Sequence, residues 1–481
     1  MDDRTLVGGI VALIAGFAGL VWLDAMNDTL RDDLVPQTIV WFLVAFGGYV
    51  VVCLRSQATQ PVNLTALLLL GLGLRLVLLV TEPTLSDDVY RYLWEGHLVT
   101  EGVSPYSFAI DSALGDAYTI PTRALVNNQT LASPYLPVAH GIFGAVAFVL
   151  PAEPWTMQLV MIAFDTLAAA MIIKLLGLVG LPPRRVLLYW LNPLVIVEIA
   201  HGAHIDALIV GLGLAGIWLT FNACGERAAH ATTATILAGP ALVAAATLTR
   251  PLALLLIPVL FWLWSWRQRA MWFVALTVPI ALAAGSTGLG LDQTGTGVFG
   301  SARAYTTTFR FNSGIYHWLE TWIAGRGLDD NGWNEPMALT RLIIALVVVV
   351  ALFGVFVAGR RRRSERHALR LMALPLMIYV AFTPVLHPWY VLTLLAFTPF
   401  LAPGVDEPTR RWVAPAPWLL LSALLIFSYL TYEEPTAFGE RTWVRRLEWY
   451  PTLAVMGVWL VASRSYRGSS AQPHDRETID T

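Results

Sequence analysis

The stretch Ser86-Asp87-Asp88-Val89-Tyr90-Arg91-Tyr92-Leu93-Trp94-Glu95-Gly96-His97 holds the densest chemistry in the chain. Two adjacent carboxylates can act as a general base on a hydroxyl, bind a sugar hydroxyl, or hold a divalent cation. They can also serve the backbone, since Ser86 suits a helix N-cap and Asp87 and Asp88 favour the positive end of the helix that follows. The two uses are compatible. Adjacent carboxylates raise each other's proton affinity, which suits a base. The helix they open carries Tyr90, Tyr92, Trp94 and His97, side chains with apolar bodies and polar tips that fit a membrane–water boundary. Gly102, Pro105 and Tyr106 end it, and a turn-rich loop leads to Ser133-Pro134-Tyr135-Leu136-Pro137.

Composition says what must position these groups. Of 481 residues 56% are hydrophobic and 13% charged, about half the roughly 25% charge of a soluble domain. The apolar residues fall in repeated long runs, so the fold class is an all-α polytopic membrane protein. A spanning helix needs about 20 apolar residues. Candidate spans begin near residues 6, 36, 63, 155, 185, 203, 232, 251, 270, 337, 368, 388, 414 and 448. That predicts about fourteen crossings, in a range of roughly twelve to fourteen. The first run, Leu6 to Leu23, reads as a retained anchor. A net charge of -2 gives no nucleic-acid footprint. Cys53 and Cys224 match neither a disulfide framework nor a zinc spacing.

Two connections are long, residues 82–154 and 289–336. Arginine clusters at Arg267 and Arg269, at Arg360 to Arg363 with Arg366, and at Arg410 and Arg411 mark the cytoplasmic side. The apolar run Val138 to Leu150 has only 13 residues and reads as a helix lying along the interface. Both long loops then face outward, as do His201, His204, Arg250 and His387. The expected organisation is a single transmembrane catalytic domain over 1–464, with a disordered cytoplasmic tail over 465–481. Arg75, Asp165 and Glu198 fall inside apolar runs, and an Arg75–Asp165 pair that fixes helix packing is expected. Most tryptophans form an aromatic belt; Trp94, Trp318 and Trp333 stand in outer loops and are open to stacking on sugar rings. His201 and His204 alone are too few ligands for zinc.

The string SDDVYRYLWEG followed by GVSPY, then SPYLPV, resembles the first external loop of bacterial GT-C glycosyltransferases, specifically the polyprenyl-phosphate-mannose-dependent mannosyltransferases. Trp190-Leu191-Asn192-Pro193-Leu194, Ala200-His201-Gly202-Ala203-His204-Ile205-Asp206-Ala207 and His387-Pro388-Trp389-Tyr390 continue the resemblance in order, over residues 86 to 390. Two departures stand out: Ile205 where the family often has Asn, and Leu136 where it has a second proline. The resemblance implies inverting transfer of a sugar, mannose first, from a polyprenyl-phosphate donor to an envelope glycan or glycolipid at the outer face of the plasma membrane. It implies Asp88 as base, with Asp87 as a partner that orients it or shares a divalent cation, Mg²⁺ or Mn²⁺. Arg250, His387, Arg303 and Arg310 are then candidates for the donor phosphate. Tyr90, Arg91, Tyr92, Trp94, Tyr135, His204 and Tyr390 are candidates for substrate contact. A transporter or flippase of lipid-linked sugars is the alternative; it predicts internal repeats and charges along a midplane path.

Overall fold

The computed structural model describes residues 3–26, 34–56, 62–291, 295–307, 309–326, 336–361, 364–401, 415–433 and 440–469. Within them the chain is helical; the β-structure among the described residues is one isolated parallel bridge, Phe311 with Val385.

The first two helices, α1 (Asp3–Met26) and α2 (Val35–Ser56), approach so closely that a side chain at Gly16 would strike Ala45, and one at Gly48 the backbone of Leu13 and Gly9. Small residues of this kind let apolar helices pack backbone to backbone, where lipid supplies no drive to associate. The third helix, α3 (Leu64–Val77), begins at Asn63, whose side chain accepts the Ala66 N–H at 3.0 Å. It carries Arg75 to Asp165 on α6 (Pro154–Leu178), at 2.6 Å with both side chains fully buried. Arg75 also donates to the carbonyls of Gly71 and Trp190 and lies over the Trp190 ring, while the Tyr189 hydroxyl donates to Asp165. The expected pair thus forms, and it closes on itself as a packing device.

By length and apolar content five helices can cross a membrane: α1, α2, α6, Trp266–Thr287 and Ala338–Arg360. A sixth arises if Pro193–His201 and Asp206–Asn222, bent by 113°, count as one broken span. Several of the remaining segments among the fourteen expected are interrupted. The runs near 185 and 388 fold as short turns such as Leu187–Trp190, Leu392–Leu395 and Thr398–Leu401, all buried. Interrupted backbone of this sort is stable at membrane depth where protein, not lipid, surrounds it. Around the outside the apolar side chains face outward, among them Phe273, Leu282, Val350 and Phe353 at 60–74% exposure. A soluble protein rarely shows so wide an apolar face; lipid covers it.

The first long loop contains α4 (Asp88–Thr100) and α5 (Pro137–Val149), seated together where Gly96 meets the Phe143 backbone and Gly144 meets Val99. At about 1.5 Å per residue α5 is some 20 Å long, short of a hydrocarbon core about 30 Å thick. Phe148 and Val149 project from its end, exposed. The last helix corrects one boundary: Thr442–Ser469 runs through residues 465–469, expected as tail, because its turn extends past the apolar stretch. Residues 470–481 lie outside the described residues, as do Arg362, Arg363, Arg410, Arg411 and Trp333.

Candidate active site

Asp88 is the first residue of α4, and Asp87 is its N-cap residue. The Asp87 carboxylate makes no capping bond, and Ser86 Oγ accepts only a long bond, 3.4 Å, from the Asp88 N–H. Capping therefore does not account for the Asp88 carboxylate. One oxygen accepts the Asn127 amide at 2.7 Å; the other faces Tyr92 Oη at 3.5 Å and His204 Nδ1 at 3.7 Å. Its side chain is 14% exposed, enough for an approaching hydroxyl to reach it. Burial alone would raise this carboxyl; the adjacent His204 imidazole, the Asn127 amide and the Arg250 charge reverse that and hold it well below the usual carboxylate range.

Arg91 explains why Asn127 is in place. Its buried guanidinium donates to the carbonyls of Asn127 at 2.6 Å and Asn128 at 2.9 Å, and pairs with Glu95 at 3.3 Å. Expected at the substrate, Arg91 instead clamps the loop that presents Asn127. Glu95 extends the clamp: it accepts the Ser133 hydroxyl at 2.8 Å, and Ser133 Oγ accepts the Tyr135 N–H at 3.1 Å. Trp94 is corrected outright. It is fully buried, donates to the Tyr118 carbonyl and meets Phe108 edge-on, so no face remains for a sugar. Tyr92 and Tyr135 pack edge to face beside Phe143, and both are buried at the wall of the site; Tyr90 is buried one turn away.

A break in the chain delivers His204. The wide π-turn Val197–His201 and the left-handed Ala203 (φ 54°) reverse direction before Asp206–Asn222 begins. Such strained turns persist where surrounding structure holds them, often at functional sites. His204 is fully buried, with Nε2 3.2 Å from Glu198, whose carboxylate accepts the Tyr429 hydroxyl at 2.9 Å. Its ring stacks on Trp389 at 3.8 Å, Trp389 on His387 at 4.5 Å, and His387 on Phe311 at 4.7 Å. Four rings in a column join the π-turn, the His-Pro-Trp-Tyr motif and the second long loop.

Arg250 lies within electrostatic reach of Asp88. Its Nη1 meets both oxygens of the buried Asp206, at 3.0 and 3.3 Å, and its guanidinium lies over Tyr390 at 4.5 Å. The neighbour of the departure at Ile205 thus has a definite partner. The departure at Leu136 matters too: its N–H, absent in a proline, donates to the Thr249 carbonyl at 3.4 Å, and Val138 N–H donates to Leu248 at 3.0 Å. These bonds tie the first loop to the segment that carries Arg250. His387 is partly buried, and burial among the rings pushes its imidazole down to about 3. It is neutral at pH 7 and can donate a hydrogen bond but carries no charge. Arg310 lies apart, half-exposed and paired with Glu320 at 2.9 Å. Arg303 belongs to the helix Gly300–Thr307, its side chain outside the described residues.

Sequence reasoning missed Asn127, Tyr429 and Tyr305, and gave Glu198 and Trp389 no role at the site. Tyr305 stacks on Phe309, and burial, then the nearby Tyr390 and Asp88, push its phenol well up. The available signal was the aromatic repeat Tyr305-x-x-x-Phe309 next to Arg303 and Arg310 in a loop otherwise rich in Gly and Thr.

The site gathers one ionised carboxylate, one guanidinium held by a buried aspartate, and aromatic walls: a set that can take a proton from a hydroxyl and receive an anion. Comparison with known proteins gives the chain a family. Residues 7–266 match a family model described as alpha-(1->6)-mannopyranosyltransferase, N-terminal domain, and residues 326–436 match one described as MptB C-terminal domain. Alpha-(1->6)-mannopyranosyltransferase A of Mycobacterium tuberculosis is 26% identical over 94% of this chain and 89% of its own length. The protein of the same name from Corynebacterium glutamicum is 24% identical over 66% of this chain and 67% of its own. No solved structure matches. With the first match spanning more than half of the residues and containing Asp88, His204, Asp206 and Arg250, the chain belongs to the alpha-(1->6)-mannopyranosyltransferase family.

Proposed function

We propose that this mannosyltransferase takes mannose from a polyprenyl-phosphate donor and passes it, with inversion, to a hydroxyl of an envelope glycan or glycolipid at the outer face of the plasma membrane. On this reading the short apolar helices join across their breaks to give about twelve to fourteen crossings, and both long loops face outward. The observation that carries it is that Asp88 and Arg250 lie within electrostatic reach of each other, with His204 beside the carboxylate. The acceptor oxygen attacks the anomeric carbon, the bond from that carbon to the phosphate oxygen breaks, and the hydroxyl proton passes to Asp88. Arg250, of which only Nη1 is engaged among the described residues, receives the charge that grows on the departing phosphate. His387, Tyr390 and Tyr305 line the same space as neutral donors. Binding the donor also prepares the base. A phosphate brings negative charge beside the groups that hold Asp88 low, so its proton affinity rises as the acceptor arrives.

The residues present do not fit a divalent cation at Asp87 and Asp88. Among the described residues no three His, Cys, Asp or Glu side chains converge as ligands. The Asp88 oxygens already face an amide N–H, a phenol and an imidazole. No step is routed through a metal, and turnover is expected to survive dialysis against EDTA. Loss of activity restored by Mg²⁺ or Mn²⁺ would reassign the aspartates.

The test supplies purified protein with polyprenyl-phosphate-mannose or polyprenyl-phosphate-glucose and a panel of mannoside acceptors. Release of polyprenyl phosphate with the mannose donor alone is expected. Release with glucose alone overturns the sugar. No release with either donor overturns the enzyme reading and favours a transporter of lipid-linked sugars.

A further inference from the structure

His204 sits in the break between Val197–His201 and Asp206–Asn222, with a carboxylate on either side of its ring. Nδ1 lies 3.7 Å from Asp88 and Nε2 3.2 Å from Glu198. Neither contact is a directed hydrogen bond, so charge rather than bonding geometry holds the ring. The Tyr429 hydroxyl fixes the Glu198 carboxylate, 2.9 and 3.0 Å from its two oxygens, and the His204 N–H donates to the Glu198 carbonyl at 3.1 Å. Gly202 leaves room for this fit, since a Cβ there would come within 2.8 Å of the imidazole.

What the ring faces decides its protonation. A neutral imidazole has one N–H and one lone pair, and either tautomer would turn that lone pair on a carboxylate. Only the doubly protonated ring offers an N–H to both. Burial by itself would lower the imidazole; Asp88 and Glu198 reverse that and push it up to about 8. The other groups in reach leave this balance in place. His201 stands behind the ring on the π-turn, its Nδ1 on the Thr81 hydroxyl at 2.9 Å. Asp206 reaches it from the next helix but is paired with Arg250, and neutral His387 lies beyond Trp389. The charge bears on the donor. Asp88, Glu198 and Asp206 set three carboxylates against the Arg250 guanidinium. With a neutral imidazole that cluster is strongly anionic and repels a phosphate; a charged one halves the excess.

We propose that Glu198 is a positioning residue for the donor site: it keeps His204 charged, and that charge lets a phosphate-bearing donor settle beside Asp88. The role in turnover rests on the transfer reading above. The link between Glu198 and His204 rests on their geometry alone.

Two measurements test it. NMR of histidine-labelled protein in detergent, with the His204 signal assigned by its loss in His204→Gln, should show an imidazole still charged at pH 7. Glu198→Gln keeps the size and an acceptor for Tyr429 but removes the charge, so this titration should move down by at least about one pH unit. In turnover with polyprenyl-phosphate-mannose, kcat/KM for the donor should fall as pH rises through about 8, where the ring loses its proton. In Glu198→Gln the fall should come at lower pH, through a raised donor KM with the acceptor KM unchanged. In a His204→Gln background Glu198→Gln should add nothing to the pH profile. A neutral His204 at pH 7 in the wild type, or a His204 titration that ignores Glu198→Gln, overturns the proposal without touching the transfer reading. A shifted titration with an unmoved donor limb overturns the role in donor binding. A shifted titration in a protein that consumes no donor overturns the transfer reading and leaves the link between Glu198 and His204 standing.

Discussion

At the level of single residues the decisive group is Asp88. Asp88→Asn keeps size and hydrogen bonding but removes the proton acceptor, so a folded protein that binds donor should lose roughly 10²–10⁴-fold in turnover. Asp87→Asn should lose much less, and near-full activity in Asp88→Asn would end the assignment of the base. The hold on Asp88 has a sign that can be measured. Its ionised form is favoured in part by the imidazole 3.7 Å away. The acidic limb of kcat/KM in the wild type should therefore lie below the ordinary aspartate value of about 3.9. Removing that neighbour in His204→Gln lets the carboxyl pKa rise, so the limb should move to higher pH. An unmoved limb would show that another group controls it. Part of this scale was legible from residue type alone: Asp88 and Arg250, both singled out in the sequence, lie within electrostatic reach of each other. The misreadings share one cause. Arg91 and Trp94 were assigned to substrate by chemistry and loop position, but the loop folds back over its own helix and buries both. A sequence shows which groups are polar, not which of them the backbone's own carbonyls will occupy.

Among the elements, the breaks matter more than the helices. The π-turn that seats His204 and the short turns near Trp389 lie in runs whose apolar content reads as ordinary spans. Hydropathy records apolar content and is blind to interruption, which is why long helices such as α1, α2 and α6 were legible and the broken ones were not. The Arg75–Asp165 pair was legible because an unpaired charge in an apolar run demands a partner. It yields an element-scale prediction. Asp165→Leu leaves the Arg75 guanidinium buried without its partner and should cost about 3–5 kcal/mol of stability. Arg75→Leu combined with Asp165→Leu should recover most of that loss, because two apolar groups replace both charges. Thermal unfolding in detergent measures both. If the double variant is no better than the single one, the pair does more than fix packing.

For the molecule as a whole, orientation is the open physical question, and a labelling experiment answers it. Asp116 and Ser364 are both exposed. With an impermeant thiol reagent on cells whose outer barrier has been removed, Asp116→Cys should react and Ser364→Cys should not. The reverse pattern would put the site on the cytoplasmic side and remove the outer-face reading.

The column of four rings draws its members from stretches far apart in the chain, around residues 204, 311 and 387–389. Synthesis runs from the N-terminus, and early portions fold before late ones exist. A nascent chain that has reached residue 266 already holds Asp88, His204 and Arg250, yet nothing stacks on the imidazole that steadies the base. If the column is needed for turnover, the nascent protein should stay inert until the His-Pro-Trp-Tyr stretch has been made. The same dependence makes the chain divisible: two separately expressed pieces, cut at the exposed Ser364, should be silent apart and active together.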